Sequence, residues 1–326
     1  MRTLARARPS PSTAVAAALS GALRRTRPST LLPVALSAPL LGLALGFAWP
    51  EAGLAVRQVL GAVVLVLVFA AVASTEFGRP TRAEATATAR LLLAACVAAP
   101  VVVALVAHGI ALPADLALGA VLAAAGPVSI GASVIARRFG RPARPVVWGA
   151  VGGLILSPVL VPLAVTIGGW SGPPPAELAR QAALVGVGPV AAALLLRRAA
   201  PKATEAASAD LRGLVVLTLV LLACSAGGKA ATALDAWGAW PAAVAGATLL
   251  VSACAAWVVG VVTGGAVEGR ALAVGACLRN NSLVWAAALA AGGLPARAEA
   301  VMALFLAGTF LVTFGLLIVA RGRAVR

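Results

Sequence analysis

No charged residue stands between Arg144 and Glu177, and a second charge-free run separates Asp235 from Glu268. Such runs restrict the fold severely. A backbone in hydrocarbon must satisfy its own hydrogen bonds, and an α-helix does so while crossing the bilayer with about 20 apolar residues. The rest of the chain repeats the pattern. Of its 326 residues, 61% are hydrophobic and 11% charged, and the mean hydropathy is +1.01. Soluble domains run at roughly 45–50% apolar and about 25% charged. The composition therefore excludes a soluble enzyme, a disordered chain and a secreted disulfide scaffold. It predicts an all-α, multi-pass protein of the cell membrane.

Charged or Pro/Gly-rich breaks divide the apolar sequence into ten expected spans: 31–49, 56–74, 91–109, 115–136, 145–167, 176–196, 211–228, 240–264, 271–291 and 301–320. A nine-span alternative leaves the first segment at the interface. Arg79, Arg82 and Arg90 fall in the second loop, and Arg137, Arg138, Arg141 and Arg144 in the fourth. Arg197, Arg198, Lys202 and Arg212 mark the sixth, whereas the odd-numbered loops hold only Lys229 and Arg297. The positive-inside rule then puts both termini in the cytoplasm. The net charge of +16 is spread over short loops rather than lining a groove, so no nucleic-acid partner is expected. Residues 1–30, rich in Arg, Ser and Ala and free of acids, share the composition of a transit peptide but continue the inside bias. They are taken as a disordered basic cytoplasmic tail.

Little here suggests catalysis. Tyr is absent, His occurs once, and the ten acidic residues sit in loops or at span ends without a paired-acid motif. A membrane transferase needs such a cluster, and a cation/proton antiporter needs an intramembrane carboxylate. Cys96, Cys224, Cys254 and Cys277 lie in different spans with no C-x-x-C spacing, so no metal site or disulfide is expected. No resident cofactor is expected either.

Ten spans split into halves of five, 31–168 and 169–321, and an odd number per half inverts the second. Inverted repeats recur in transporters whose midplane site lies at broken helices. Here the fourth span of each half gathers the helix breakers and polar residues. The first half has Gly126-Pro127, Ser129, Gly131 and Ser133; the second has Gly275 followed by Arg279-Asn280-Asn281-Ser282. Pro127 lacks a donor and clashes with a preceding carbonyl, so a break is expected there. Arg279 lies eight residues past the start of its span, about 12 Å deep at 1.5 Å per residue. An arginine in mid-membrane costs ~2.5–3.5 kcal/mol on insertion scales. With no carboxylate at that depth, it must meet backbone carbonyls, water or a bound anion.

With these residues in view, the chain resembles the bile acid:sodium symporter family over about residues 31–320. The segment from Arg270 to Leu283, containing Arg279-Asn280-Asn281-Ser282, is similar to that family's ninth helix, where a Gln-Asn or Arg-Asn pair marks the break. Gly126 to Ser133 looks like its broken fourth helix, and Ser157-Pro158 with Pro162 like its fifth; Glu76-Phe77 and Pro100 also fit. The resemblance implies a panel domain (spans one, two, six and seven), a core domain (three to five and eight to ten), and alternating access for an organic anion. It also implies that Arg279, Asn280, Asn281, Ser282, Ser129 and Ser133 line the substrate site, with Gly126, Pro127, Gly131 and Gly275 marking the breaks.

The departures concern sodium. The family's sodium-coupled members carry Glu where this chain has Gly275 and Gln where it has Arg279. Ser133 stands for an Asn, and glycines at Gly149, Gly152 and Gly153 replace hydroxyls. The site has lost a negative charge and gained a positive one, which argues against sodium coupling. Arg279 is then either a fixed substitute for the sodium ion or a direct partner of the anionic cargo. Two alternatives stay open: a sodium-coupled symporter using backbone carbonyl ligands, and a non-transporting receptor or channel-like module.

Overall fold

The computed structural model describes residues 28–138 and 142–324, which form helices and turns with one isolated β-bridge. Of the expected basic tail, residues 1–27 lie outside the described residues. The helices are α1 Pro28–Ala48, α2 Pro50–Gln58, α3 Leu60–Ala73, α4 Arg82–Gly109, α5 Ala114–Ala124, α6 Ala132–Arg138 and α7 Arg144–Gly168. They continue as α8 Pro175–Ala199, α9 Pro201–Ala206, α10 Ser208–Trp237, α11 Trp240–Gly264, α12 Ala266–Cys277, α13 Asn281–Ala290 and α14 Ala296–Ala324. Six of them (α4, α7, α8, α10, α11 and α14) are long and apolar enough to cross a membrane. The chain is thus an all-helical, multi-pass membrane protein.

Two boundaries depart from the sequence expectation. The segment expected as one span at 56–74 is divided at Val59, where α2 ends and α3 begins, and α2 itself is bent from α1 by 111°. Pro50 causes the bend: it bars the α conformation at the preceding residue, and Trp49 accordingly sits at φ −133, ψ 79. Lys229 was expected in a loop but lies inside α10, which runs on to Trp237. The continuation Lys-Ala-Ala-Thr-Ala-Leu-Asp-Ala-Trp has no Gly or Pro and is rich in the best helix former, so nothing stops the helix.

Proline shapes the interior of the long helices. In α4 the turn Leu93–Ala98 is π-helical and Pro100 follows; in α8 the π-turn Ala183–Val187 precedes Pro189. Widening the turn relieves the clash of the ring with the carbonyl before it. In α7 neither Pro158 nor Pro162 breaks the helix. Pro158 leaves the Leu154 carbonyl without its helical donor, and the Ser157 hydroxyl donates to that oxygen at 2.8 Å.

Between helices the hydrophobic drive is weak in lipid, so close approach of small residues dominates. α10 packs along α1, α2 and α3, while α14 lies against α5, α10 and α11. A Cβ on Gly46 would stand 2.1 Å from the Cys224 carbonyl oxygen, so the α1–α10 seam has no space for any side chain there. At the loop side, Phe77 packs against Trp148 with ring planes tilted by 59° and centroids 5.4 Å apart, and Arg197 lies over the Phe77 ring at 5.5 Å.

Candidate functional site

Two helices stop in the interior and cross. α5 ends at Ala124 and α6 resumes at Ala132; α12 ends at Cys277 and α13 resumes at Asn281. The extended breaks pair through an antiparallel bridge between Val128 and Arg279. The Ser129 N–H donates to the Leu278 carbonyl at 2.8 Å, and the Asn280 N–H donates to the Pro127 carbonyl at 2.6 Å. Each break thus supplies the backbone partner that the other lost, which is how irregular backbone survives at membrane depth. Gly126, Pro127 and Gly131 fall in the first break. Gly275 does not fall in the second: it lies in the last turn of α12, where its carbonyl accepts from the Leu278 N–H at 3.3 Å. A helix tolerates one Gly at about 1 kcal/mol, so the break waits until Leu278.

Arg279 is 2% exposed and turned onto carbonyl oxygens. Its Nε donates to Ala276 at 2.7 Å; its Nη1 donates to Ala95 at 2.6 Å, to Gly126 at 3.1 Å and to Ala124. The Ala95 acceptor has a local origin. In the π-turn of α4 the Ala99 N–H reaches back to Ala94, and the next donor in that register would be the nitrogen of Pro100, which has no hydrogen. The carbonyl that Pro100 leaves free is the one the guanidinium takes. Ala124 and Ala276 belong to the C-terminal ends of α5 and α12. Each helix C-terminus carries a partial charge of roughly −0.5, so two of them balance one guanidinium without a carboxylate.

The remaining expected site residues gather around the crossing. Asn281 is 1% exposed, and neither atom of its amide has a hydrogen-bond partner among the described residues; the same holds for Arg279 Nη2. Both side chains flank Gly126, whose carbonyl accepts from Arg279 and where an added Cβ would stand 2.2 Å from the Asn281 Oδ1. Gly126 is therefore a requirement of the crossing. The buried Ser282 hydroxyl donates to the Asn280 Oδ1 at 2.6 Å. Ser129 accepts from the Gly131 N–H at 3.2 Å, and Ser133 is buried in the first turn of α6. Gly153 on α7 faces the break, with a Cβ there meeting the Pro127 Cβ at 2.8 Å, so a hydroxyl side chain is excluded at that place.

A second polar centre was not foreseen. The expectation that acids lie only in loops or at span ends missed the burial of Glu299, which is 3% exposed in the first turn of α14. It pairs with Arg57 Nε from α2 and with Lys229 Nζ from α10 at 3.1 Å, and it accepts from the Trp285 Nε1 of α13 at 3.1 Å. Its neighbour Arg297 remains at the surface, 3.7 Å from Asp115. Two of these residues carried a sequence signal, since Arg57 interrupts an apolar span and Lys229 follows Gly228 without any loop residues. Among the described residues no group of three or more His, Cys, Asp or Glu could hold a metal ion, and the four cysteines are unpaired. No protein-family model matches the chain, and no curated protein matches it at significant similarity.

Proposed function

We propose that this chain is a secondary transporter that moves a small organic anion by alternating access, without sodium. In this reading the six long helices, α1, α3 and the two broken pairs α5–α6 and α12–α13 make ten crossings, arranged as inverted halves 31–168 and 169–321. Both termini are cytoplasmic, the architecture is that of the bile acid:sodium symporters, and α1, α3, α8 and α10 form a panel against the remaining core. The observation that carries the reading is the crossing of the two breaks with Arg279 anchored at both helix ends. A polar crossing inside an apolar bundle is costly, and transporters are where it is put to use. Sodium coupling through carbonyl ligands finds less support, because four of the carbonyls such an ion would need already accept from Arg279.

The test is uptake into proteoliposomes from a mixture of metabolite organic anions. Saturable, counter-flow-stimulated uptake that persists when choline replaces sodium is expected. Uptake that follows a sodium gradient and vanishes without it would overturn the sodium-free reading. Non-saturable flux would favour a channel, and the absence of any flux a receptor.

A further inference from the structure

Arg279 gives Nε and Nη1 to carbonyls and keeps only the buried Nη2 at the crossing, so a more exposed fork of donors elsewhere suits the charge of an anionic cargo better. We infer that Arg57 and Lys229 form a binding site for the carboxylate of the cargo, and that Glu299 positions them. The inference rests on the organic-anion reading above and deepens it.

Two cations here share one carboxylate, so the cluster keeps one unbalanced positive charge. It sits where α10 nears its end and α14 begins, which the charge bias of the loops makes the outer side of the bundle. Exposure is graded along the cluster: the side chain of Glu299 is 3% exposed, that of Lys229 15% and that of Arg57 32%. Both Glu299 oxygens are occupied, Oε1 by Arg57 and Trp285 and Oε2 by Lys229. The carboxylate is therefore fixed as an acceptor and holds both cations in place. Arg57 meets it through Nε, and its Nη1–Nη2 edge makes no hydrogen bond to any described residue, on a side chain 32% exposed. That edge is a planar fork suited to two parallel bonds with a carboxylate. A monocarboxylate bound there brings the cluster to neutrality.

The site also joins the two bodies of the proposed carrier. Lys229 comes from α10 on the panel side and Arg57 from α2, which packs against α10, whereas Glu299 and Trp285 come from α14 and α13 on the core side. Trp285 stands one turn beyond Asn281 on the same short helix, so the helix that starts at the crossing ends its polar face at this cluster.

The experiment uses the purified full-length chain in detergent and in proteoliposomes, with potassium salts of pyruvate, phenylacetate and succinate as probes and their amides as uncharged controls. Binding is read from the concentration dependence of the thermal midpoint, and transport from radiolabelled uptake. Removing Arg57 alone leaves Glu299 paired with Lys229 and keeps its repulsion of an incoming carboxylate, so the variant is the pair R57Q/E299Q, which removes that ion pair as a unit. The expected result is that a carboxylate binds the native chain while its amide does not, and that R57Q/E299Q weakens this binding tenfold or more. E299Q alone keeps one acceptor oxygen, enough for Arg57 and Trp285, and frees the Lys229 ammonium while removing the repelling charge, so the carboxylate should bind several-fold tighter. A merely structural ion cluster would give the opposite sign. Carboxylate binding unchanged in R57Q/E299Q, or weakened in E299Q, overturns the site and leaves the transporter reading standing. If none of the three carboxylates binds or enters with the native chain, the site and the organic-anion reading fall together.

Discussion

Replacing Arg279 by Gln tests the account of the crossing most directly. Nη1 serves the carbonyls of Ala95, Ala124 and Gly126, which come from two distant stretches of chain. A buried acceptor left without a donor costs about 1–3 kcal/mol. The glutamine amide offers two donors on a shorter stem, so at least one of the three carbonyls is stranded. The loss of charge opposite two helix C-termini adds ~0.3–1 kcal/mol for each end, and up to ~2 kcal/mol in a partly buried setting. The destabilisation expected for R279Q is therefore about 2–5 kcal/mol. A small cation entering between the same carbonyls would return part of it, about 1.4 kcal/mol at a tenfold excess over its Kd. The assay is the thermal midpoint of purified protein in sodium chloride and in choline chloride at equal ionic strength. R279Q should melt several degrees lower than the native chain and recover in part with sodium but not with choline. The native midpoint should not respond to sodium. R279K, which keeps the charge but loses the planar fork, should fall between the two. An unchanged midpoint in R279Q would refute the dependence of the carbonyls on Arg279. A native midpoint that climbs with sodium would refute the idea that the guanidinium takes the place of a cation.

G126A should lower both uptake and the thermal midpoint, by about 1–3 kcal/mol as for an overpacked core, because its new Cβ would stand 2.2 Å from the Asn281 Oδ1. N281A in the same chain should restore most of the midpoint, which a double-mutant cycle measures; additive losses would show that the contact is not the cause. N280A leaves the backbone bond to Pro127 intact and removes only the acceptor of the Ser282 hydroxyl. Its midpoint should change by less than about 1 kcal/mol, while uptake loses affinity, and an unaltered uptake KM would remove Asn280 from the substrate site.

Most of the helix pattern was legible because lipid imposes it. A run without charges and of the right length can only be a helix, and α11 begins and ends at the residues expected of its span. The misplacements have local causes. Val59 divides the run 56–74 that hydropathy reads as continuous, so the end of α2 was absorbed into a span. Gly228 was taken as the end of a span because a lysine follows it. In α10 that glycine instead lets the α2 backbone approach, since a Cβ there would stand 2.7 Å from the Pro50 carbonyl oxygen. Glycine as terminator and glycine as contact look identical in one dimension.

The two polar centres were legible to different degrees, for a physical reason. Arg279 and its neighbours are contiguous in sequence, sit deep in an apolar run and have no acid at their depth. Elimination leaves such an arginine backbone carbonyls, water or a bound anion, and sequence could not say that Pro100 would free the Ala95 carbonyl for it. Glu299 offers no such handle. Its partners stand at positions 57, 229 and 285, and the three charged members each resemble an ordinary charge at the end of a span. The burial of Glu299 and its contacts with the partly exposed Arg57 and Lys229 distinguish them, and these follow from how α2, α10, α13 and α14 meet. A buried cluster with unequal charges is not explained by stability, since replacing such groups with apolar ones is often neutral or stabilising. The excess positive charge at this junction therefore calls for a ligand-related role more strongly than the arginine at the crossing does, because that arginine already has two helix ends to balance it.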